Sequence, residues 1–193
     1  MKRYNLLDSK PTSTPLQQGS VLISNPDQAL KADIEAYQSK MGSITYLAIQ
    51  TRTDIAFACS LLSRYLSNPS ADHLNAADHL LRYIKGTADL CVRFSSLNQT
   101  SGNLHGYSDS DFAGDIELRK STSGFVYFLA GGIISAQSKR QTITALLTTK
   151  AEYYGLAKAV YKAAWLRETL KQLKYRGPDA KCVIIYRDNQ AAL

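Results

Sequence analysis

Residues Tyr107–Asp115 read YSDSDFAGD and place Asp109, Asp111 and Asp115 close together in the chain. Carboxylates this near one another repel unless a cation or a set of hydrogen bonds compensates them. The rest of the chain leans the other way, with a formal net charge of +7. The question is therefore what an acidic cluster does in a basic protein. Side chains alternate faces along a strand, so a strand over Leu104–Phe112 puts His105, Tyr107, Asp109 and Asp111 on one face.

Working outward from this stretch, the pattern C-terminal to it is mixed α/β. GDIELRKSTSG reads as a loop, and strands follow at Phe125–Ala130 and Ile133–Ser138, joined at Gly131–Gly132. A long helix is expected from about Lys150 to Leu173, then a turn at Gly177–Pro178 and an apolar run, CVIIY, that ends in Arg187–Asp188. If the first and last strands are parallel neighbours, Asp109 and Asp188 meet at one sheet edge, the usual place for a ligand in such sheets. Glu152 falls on the helix stripe of Leu156, Val160, Ala163 and Leu170, which directs a third carboxylate toward the sheet. Each acid also has an ordinary reading: Thr149 with Glu152 forms a T-x-x-E capping box, Asp188–Asn189 suits a helix cap, and Asp115 suits a turn. Three acids from two strands and a helix start, taken together, form an oxygen-ligand set for magnesium or manganese.

N-terminal to the stretch the chain reads as helical. Residues 1–27 are rich in Ser, Thr, Pro, Gln and Gly and look extended. Helices are expected over Gln28–Gln50, over Asp54–Leu66 with Ile55, Ala58, Cys59, Leu62 and Leu66 at helical spacing, and from a Ser70 cap to a Gly86 stop. Asn68–Pro69 separates the second from the third, because a residue preceding proline avoids the helical region. The polar link SSLNQTSGN then divides a helical segment, residues 1–98, from an α/β segment, residues 99–193.

Composition narrows the classes. With 193 residues and 45% hydrophobic residues, the chain is long enough for one sizeable core and a second small one, and it is not of a disordered type. No run approaches the ~20 apolar residues of a membrane-spanning helix, and MKRYNLLDSK leads into no apolar signal core, so an intracellular location away from membranes is expected. Cys59, Cys91 and Cys182 are odd in number and lie in apolar runs, which predicts buried thiols; with His73, His79 and His105 they form no zinc spacing. Residues 99–193 hold 13 basic and 8 acidic residues, against 10 and 8 in residues 1–98. A basic surface around an acidic pocket suits a polyanion whose reacting phosphate meets a metal, and a solvated charged surface is the bland alternative.

Four blocks, GYSDSDFAGD, RKSTSGFVYFLAGGIISAQSKRQ, TTKAEYYGLAKAVYKAAWLRETL and VIIYRDNQAA, together resemble the ribonuclease H region of Ty1/copia-type retrotransposon Pol polyproteins. The upstream block YQSKMGSITYLAIQTRTDIAFACSLLSRYLSNPSADHLNAADHLLRYIKGT resembles the segment where the reverse transcriptase thumb leads into a connecting region, and KPTSTPL fits the same family. The resemblance covers nearly the whole chain in order. It implies a thumb- or connection-like helical segment followed by a ribonuclease H-like mixed sheet with a long helix.

The same resemblance implies roles. Asp109 of YSDSD, Glu152 of TKAEYYG and Asp188 of YRDNQAA match the metal-binding catalytic carboxylates, which in this class hold two magnesium (or manganese) ions about 4 Å apart. The implied activity is hydrolysis of the RNA strand of an RNA–DNA hybrid during reverse transcription, with little base reading. Asp111 is expected to support the ion from outside its ligand shell. Arg119, Lys120, Lys139, Arg140 and Lys150 are expected to meet nucleic-acid phosphates. The implied partners are the hybrid and the upstream reverse transcriptase portion of the polyprotein, within a cytoplasmic virus-like particle or the nucleus.

Departures from the family pattern bear on these expectations. Thr53 stands in TRTDIA where the family commonly has proline, and Lys150 in TTKAEY where it commonly has an acid. The sequence stops at Leu193, so the later strand, helices and fourth carboxylate of a complete ribonuclease H are expected to be missing, as is the reverse transcriptase Asp-Asp motif. A shortened sheet leaves an unpaired edge that invites self-association. The alternative function is a catalytically inactive remnant that binds nucleic acid or a protein partner. A phosphatase reading of the D-x-D in YSDSD fits poorly, because Leu104-His105-Gly106-Tyr107 is not the apolar strand that class needs before its nucleophile.

Overall fold

A computed structural model describes residues 2–95, 103–144, 147–175 and 182–188. The chain is mixed α/β and divides into two compact units, Met1–Cys91 and Val92–Leu193. The division falls a few residues before the polar link, and the backbone N–H of Ser95 donates to the Ala130 carbonyl at 2.8 Å, which ties the chain just before the link to the second unit.

The first unit is helical: α1 (Lys31–Gln50), α2 (Ala56–Leu62) and α3 (Ala71–Gly86). Short 3-10 turns at Thr53–Ile55 and Ser63–Tyr65 flank α2, so the expected helix over 54–66 is real but tightened at both ends. Its core joins Tyr37, Met41 and Ile44 of α1 with Ile55, Leu62, Ala77 and Leu80, all fully buried. The Tyr37 hydroxyl donates to the Leu62 carbonyl at 2.8 Å, which satisfies a polar tip inside that core. α3 begins as Ser70 suggests, with a twist in the chemistry: His73 takes the place of the usual Glu or Gln, and the Ser70 backbone N–H donates to its Nδ1 at 2.8 Å. Arg52 pairs with both oxygens of Asp54 at 2.9 and 2.8 Å and also donates to the Thr87 carbonyl, joining the start of α2 to the end of α3.

The second unit is a four-stranded sheet in the order β3-β2-β1-β4, with a helix packed on it. β1 (His105–Ser110) runs antiparallel to β2 (Thr122–Leu129), β2 antiparallel to β3 (Gly132–Arg140), and β1 parallel to β4 (Ile184–Tyr186). The β2–β3 hairpin turns through Ala130 and Gly131, both at positive φ, the twist-matched geometry of a two-residue loop. β2 starts at Thr122, three residues earlier than the apolar pattern shows, because Ser123 and Gly124 pair with Ser110 and Asp109 although they are not typical strand residues.

Helix α4 (Thr148–Gln172) lies on β1 and β2 through Ala151, Gly155, Ala159, Ala163 and Leu166. Small side chains form this face, so the backbone comes close to the sheet. At Gly155 an added Cβ would lie 2.1 Å from Ser110 Oγ, which makes the glycine a requirement of the approach. Tyr127 of β2 is fully buried under α4 and its hydroxyl donates to the Ala159 carbonyl at 2.6 Å. Val160, placed by periodicity on the buried stripe, is 49% exposed instead. The stripe is set by where small residues permit contact, not by where the largest apolar ones stand. Likewise only Cys59 is buried, while Cys91 and Cys182 are exposed. Among the described residues no helix is long and apolar enough to cross a membrane.

Candidate metal centre

Asp109 sits near the carboxyl end of β1, on the face turned away from α4. Directly opposite residues share a face, and Gly106, opposite the α4-packed Tyr127, fixes the even-numbered positions of β1 toward the helix. Asp188 follows β4, which is parallel to β1, so both strands deliver their acids at the same end. The chain returns along α4, which therefore starts at that end and carries Glu152 one turn in from its N-terminus. One carboxylate oxygen from each of Asp109, Glu152 and Asp188 lies within 4.8 Å of the others. Asp109 and Asp188 are exposed, and Glu152 is only 6% exposed.

Two local devices hold the group. The Ser110 backbone N–H donates to Asp109 Oδ1 at 2.8 Å and fixes that carboxylate. Gln141, just after β3 and nearly fully buried, donates from Nε2 to Ser123 Oγ at 2.7 Å and to the Ala151 carbonyl at 2.9 Å. It pins the first turn of α4 to β2, directly beside Glu152. Glu152 itself does not close a capping box with Thr149; its Oε2 accepts from Arg187 Nη2 at 2.7 Å. Neither Gln141 nor Arg187 stood out in the sequence. The adjacency of Arg187 to Asp188 was the one available hint.

The donor set fits a hard divalent cation. It offers oxygen ligands only, and a 4.8 Å spread is close to the span across an ion bound at about 2.0–2.6 Å by each ligand. Three carboxylates against one guanidinium also leave an excess of negative charge at the spot.

The other residues singled out in the sequence fall elsewhere. Asp111 lies just past β1, where its carboxylate accepts the Thr122 backbone N–H, so it closes the start of the loop and is not in the group of three. Asp115 is buried; it accepts from Leu118 N–H at 2.8 Å and from Arg140 Nη1 at 2.5 Å, which makes it the anchor of the same loop. Arg140 is accordingly engaged in a structural ion pair. Arg119 is exposed in the left-handed region of the backbone, and the Lys120 carbonyl accepts the Asp115 N–H at 3.0 Å. Lys139 is exposed on the edge strand β3, and Lys150 is exposed in the first turn of α4, two residues from Glu152. The opening cluster thus divides: one aspartate faces the candidate site and two organise the loop behind it.

No protein-family model matches the chain, and no solved structure does. Curated relatives are clear. The retrovirus-related Pol polyprotein from transposon TNT 1-94 of Nicotiana tabacum is 37% identical over 200 aligned positions, covering 100% of this chain and 14% of that polyprotein. That from transposon RE2 of Arabidopsis thaliana is 35% identical over 192, covering 100% of the chain and 13% of the polyprotein. The secreted RxLR effector protein 161 of Plasmopara viticola is 40% identical over 138 residues, 72% of this chain and 96% of that protein. The chain thus spans about one seventh of the length of the Pol polyproteins it matches. From end-to-end similarity at this level, the chain belongs to the family of Pol polyproteins of Ty1/copia-type retrotransposons.

Proposed function

We propose that this part of the polyprotein carries its ribonuclease H centre, preceded by a helical segment that adjoins the reverse transcriptase, and that it hydrolyses the RNA strand of RNA–DNA hybrids. The observation that carries the reading is the meeting of Asp109, Glu152 and Asp188 from two parallel strands and a helix start. These three side chains would hold magnesium or manganese. When bound, such an ion would supply an activated water and stabilisation of the leaving oxygen for an in-line displacement at phosphorus. In that displacement the water oxygen bonds to phosphorus as the P–O3′ bond breaks, and the proton given up by the water is balanced by one taken from solvent by the departing oxygen, leaving a 5′-phosphate and a 3′-hydroxyl.

The remaining residues do ordinary physical work. The Ser110 N–H orients Asp109, and Gln141 keeps the start of α4, and with it Glu152, in place. Lys139, Lys150 and Arg119 supply positive charge for the phosphates, and discrimination of RNA from DNA falls to groove shape and 2′-hydroxyl contacts. The test is strand selectivity: a labelled RNA–DNA hybrid is compared with an RNA duplex and a DNA duplex, in magnesium and after chelation. Cleavage confined to the RNA strand of the hybrid, and lost on chelation, is expected.

A second reading is favoured by the Glu152–Arg187 pair, which engages one of the three acids within the protein. In that reading the chain binds hybrid without turnover. Hybrid binding with no cleavage in either magnesium or manganese would select it.

A further inference from the structure

Arg187 occupies an unusual position for a cation. Its side chain is 4% exposed and that of Glu152 7%, with 2.7 Å between Nη2 and Oε2. The next residue is Asp188, and Asp188, Glu152 and Asp109 lie within 4.8 Å of one another. A guanidinium is always charged, planar and weakly hydrated, so it tolerates burial against a carboxylate better than an ammonium does. The chain therefore sets a positive side chain of its own against one member of the acidic cluster.

We propose that Arg187 competes with the divalent cation for Glu152 and so sets the affinity of the site. This rests on the cation site proposed above. Glu152 is the buried member of the set, and a buried carboxylate requires a partner. Arg187 satisfies that requirement without metal, which keeps the first turn of α4 in place. A divalent ion taking Glu152 as ligand brings two positive charges next to a third. To take Glu152 as ligand the ion must displace the guanidinium, and the cost of that displacement weakens binding. Arg187 is thus a positioning residue: it stabilises the metal-free fold at the expense of metal occupancy.

The test is manganese affinity, read from the electron spin resonance of free Mn2+, in the parent, Arg187→Gln, Arg187→Lys and Glu152→Gln chains. Arg187→Gln retains a hydrogen-bond donor for Glu152 and removes the charge; it is expected to bind about tenfold or more tightly, the scale on which a charge at 4–6 Å moves an ionic equilibrium. Arg187→Lys keeps the charge and stays closer to the parent. Thermal melting adds a reciprocal readout, since Mn2+ should raise the midpoint of Arg187→Gln more than that of the parent. Equal affinities for the parent and Arg187→Gln overturn the proposal.

Should Arg187→Gln fail to fold, the parent alone decides. Nitrogen-15 spectra of the Arg187 guanidinium are expected to lose protection from solvent exchange as magnesium saturates the site, and undiminished protection with magnesium bound overturns displacement. A parent and Arg187→Gln chain that both bind no Mn2+, or a Glu152→Gln chain that binds like the parent, overturns the cation site itself and this proposal with it. That outcome differs from equal, Glu152-dependent binding, which overturns the competition alone.

Discussion

Arg140 Nη1 lies 2.5 Å from Asp115 Oδ2, and this pair ties the loop between β1 and β2 to the last residue of β3. Asp115 also accepts the Leu118 N–H and donates its own N–H to the Lys120 carbonyl. Removing Arg140 leaves an ionised group inside the protein with part of its compensation gone. Arg140→Ala is expected to destabilise the sheet unit by roughly 2–4 kcal/mol. The one tryptophan, Trp165, lies on α4 and reports that unit in urea unfolding.

Gly155 predicts a second, geometrically sharper effect. Gly155→Ala places a methyl against Ser110 Oγ and should cost about 1–3 kcal/mol by overpacking. Because Ser110 follows Asp109 and Gly155 follows Glu152 by less than one turn, lifting the helix also spreads the acids, so Mn2+ affinity should fall as well. The pair is testable as a double-mutant cycle. Ser110→Ala in the Gly155→Ala background should recover part of both losses, whereas independent, additive costs would show that the contact is not the cause.

The first unit carries its own pH signature. Hydrogen bonds from the Arg52 guanidinium, helped by the Tyr83 hydroxyl, hold the Asp54 carboxyl below its ordinary value of 3.8 despite partial burial. With the folded value below the unfolded one, the unfolded chain takes up the proton first, so stability rises with pH across that interval. The contribution is complete above about 3.8 and is lost as pH falls through the lowered folded value. Urea midpoints measured by circular dichroism from neutral pH downward should decline in the parent below that point and decline less in Asp54→Asn.

Phosphate contact makes a separate, salt-based prediction. Lys139→Gln and Lys150→Gln should each weaken hybrid binding and reduce the slope of log affinity against log salt by somewhat under one unit, about 0.7–0.9. Arg140→Ala should leave that slope unchanged if its guanidinium stays with Asp115. Fluorescence anisotropy of a labelled hybrid across a salt series separates the two.

Strand alternation and the rule that parallel strands present ligands at their carboxyl ends bring Asp109 and Asp188 to one spot, helical period adds Glu152, and the three side chains do meet in the fold. These are short-range regularities, and YSDSD, TKAEYYG and YRDNQAA display them openly. Val160 misleads because helical period identifies apolar stripes but not the closeness of approach that Gly155, Ala159 and Ala163 allow. Asp111 and Asp115 resemble Asp109 in composition and differ only through partners that sit 11 and 25 residues away, Thr122 and Arg140. Arg187 and Gln141 act through contacts with residues 35 and 10 positions distant, and no local pattern encodes such pairs.

On the function proposed above, Asp109, Glu152 and Asp188 form one catalytic cation site. The most direct measurement is cleavage of an end-labelled RNA–DNA hybrid in magnesium by the folded parent beside Asp109→Asn, Glu152→Gln and Asp188→Asn. The parent should cut only the RNA strand, and each substitution should lower the rate by about a hundredfold or more, at or beyond the upper end of what loss of an outer-sphere partner costs. Cleavage that survives any one of the three substitutions at the parental rate, or that persists without a divalent ion, would contradict it.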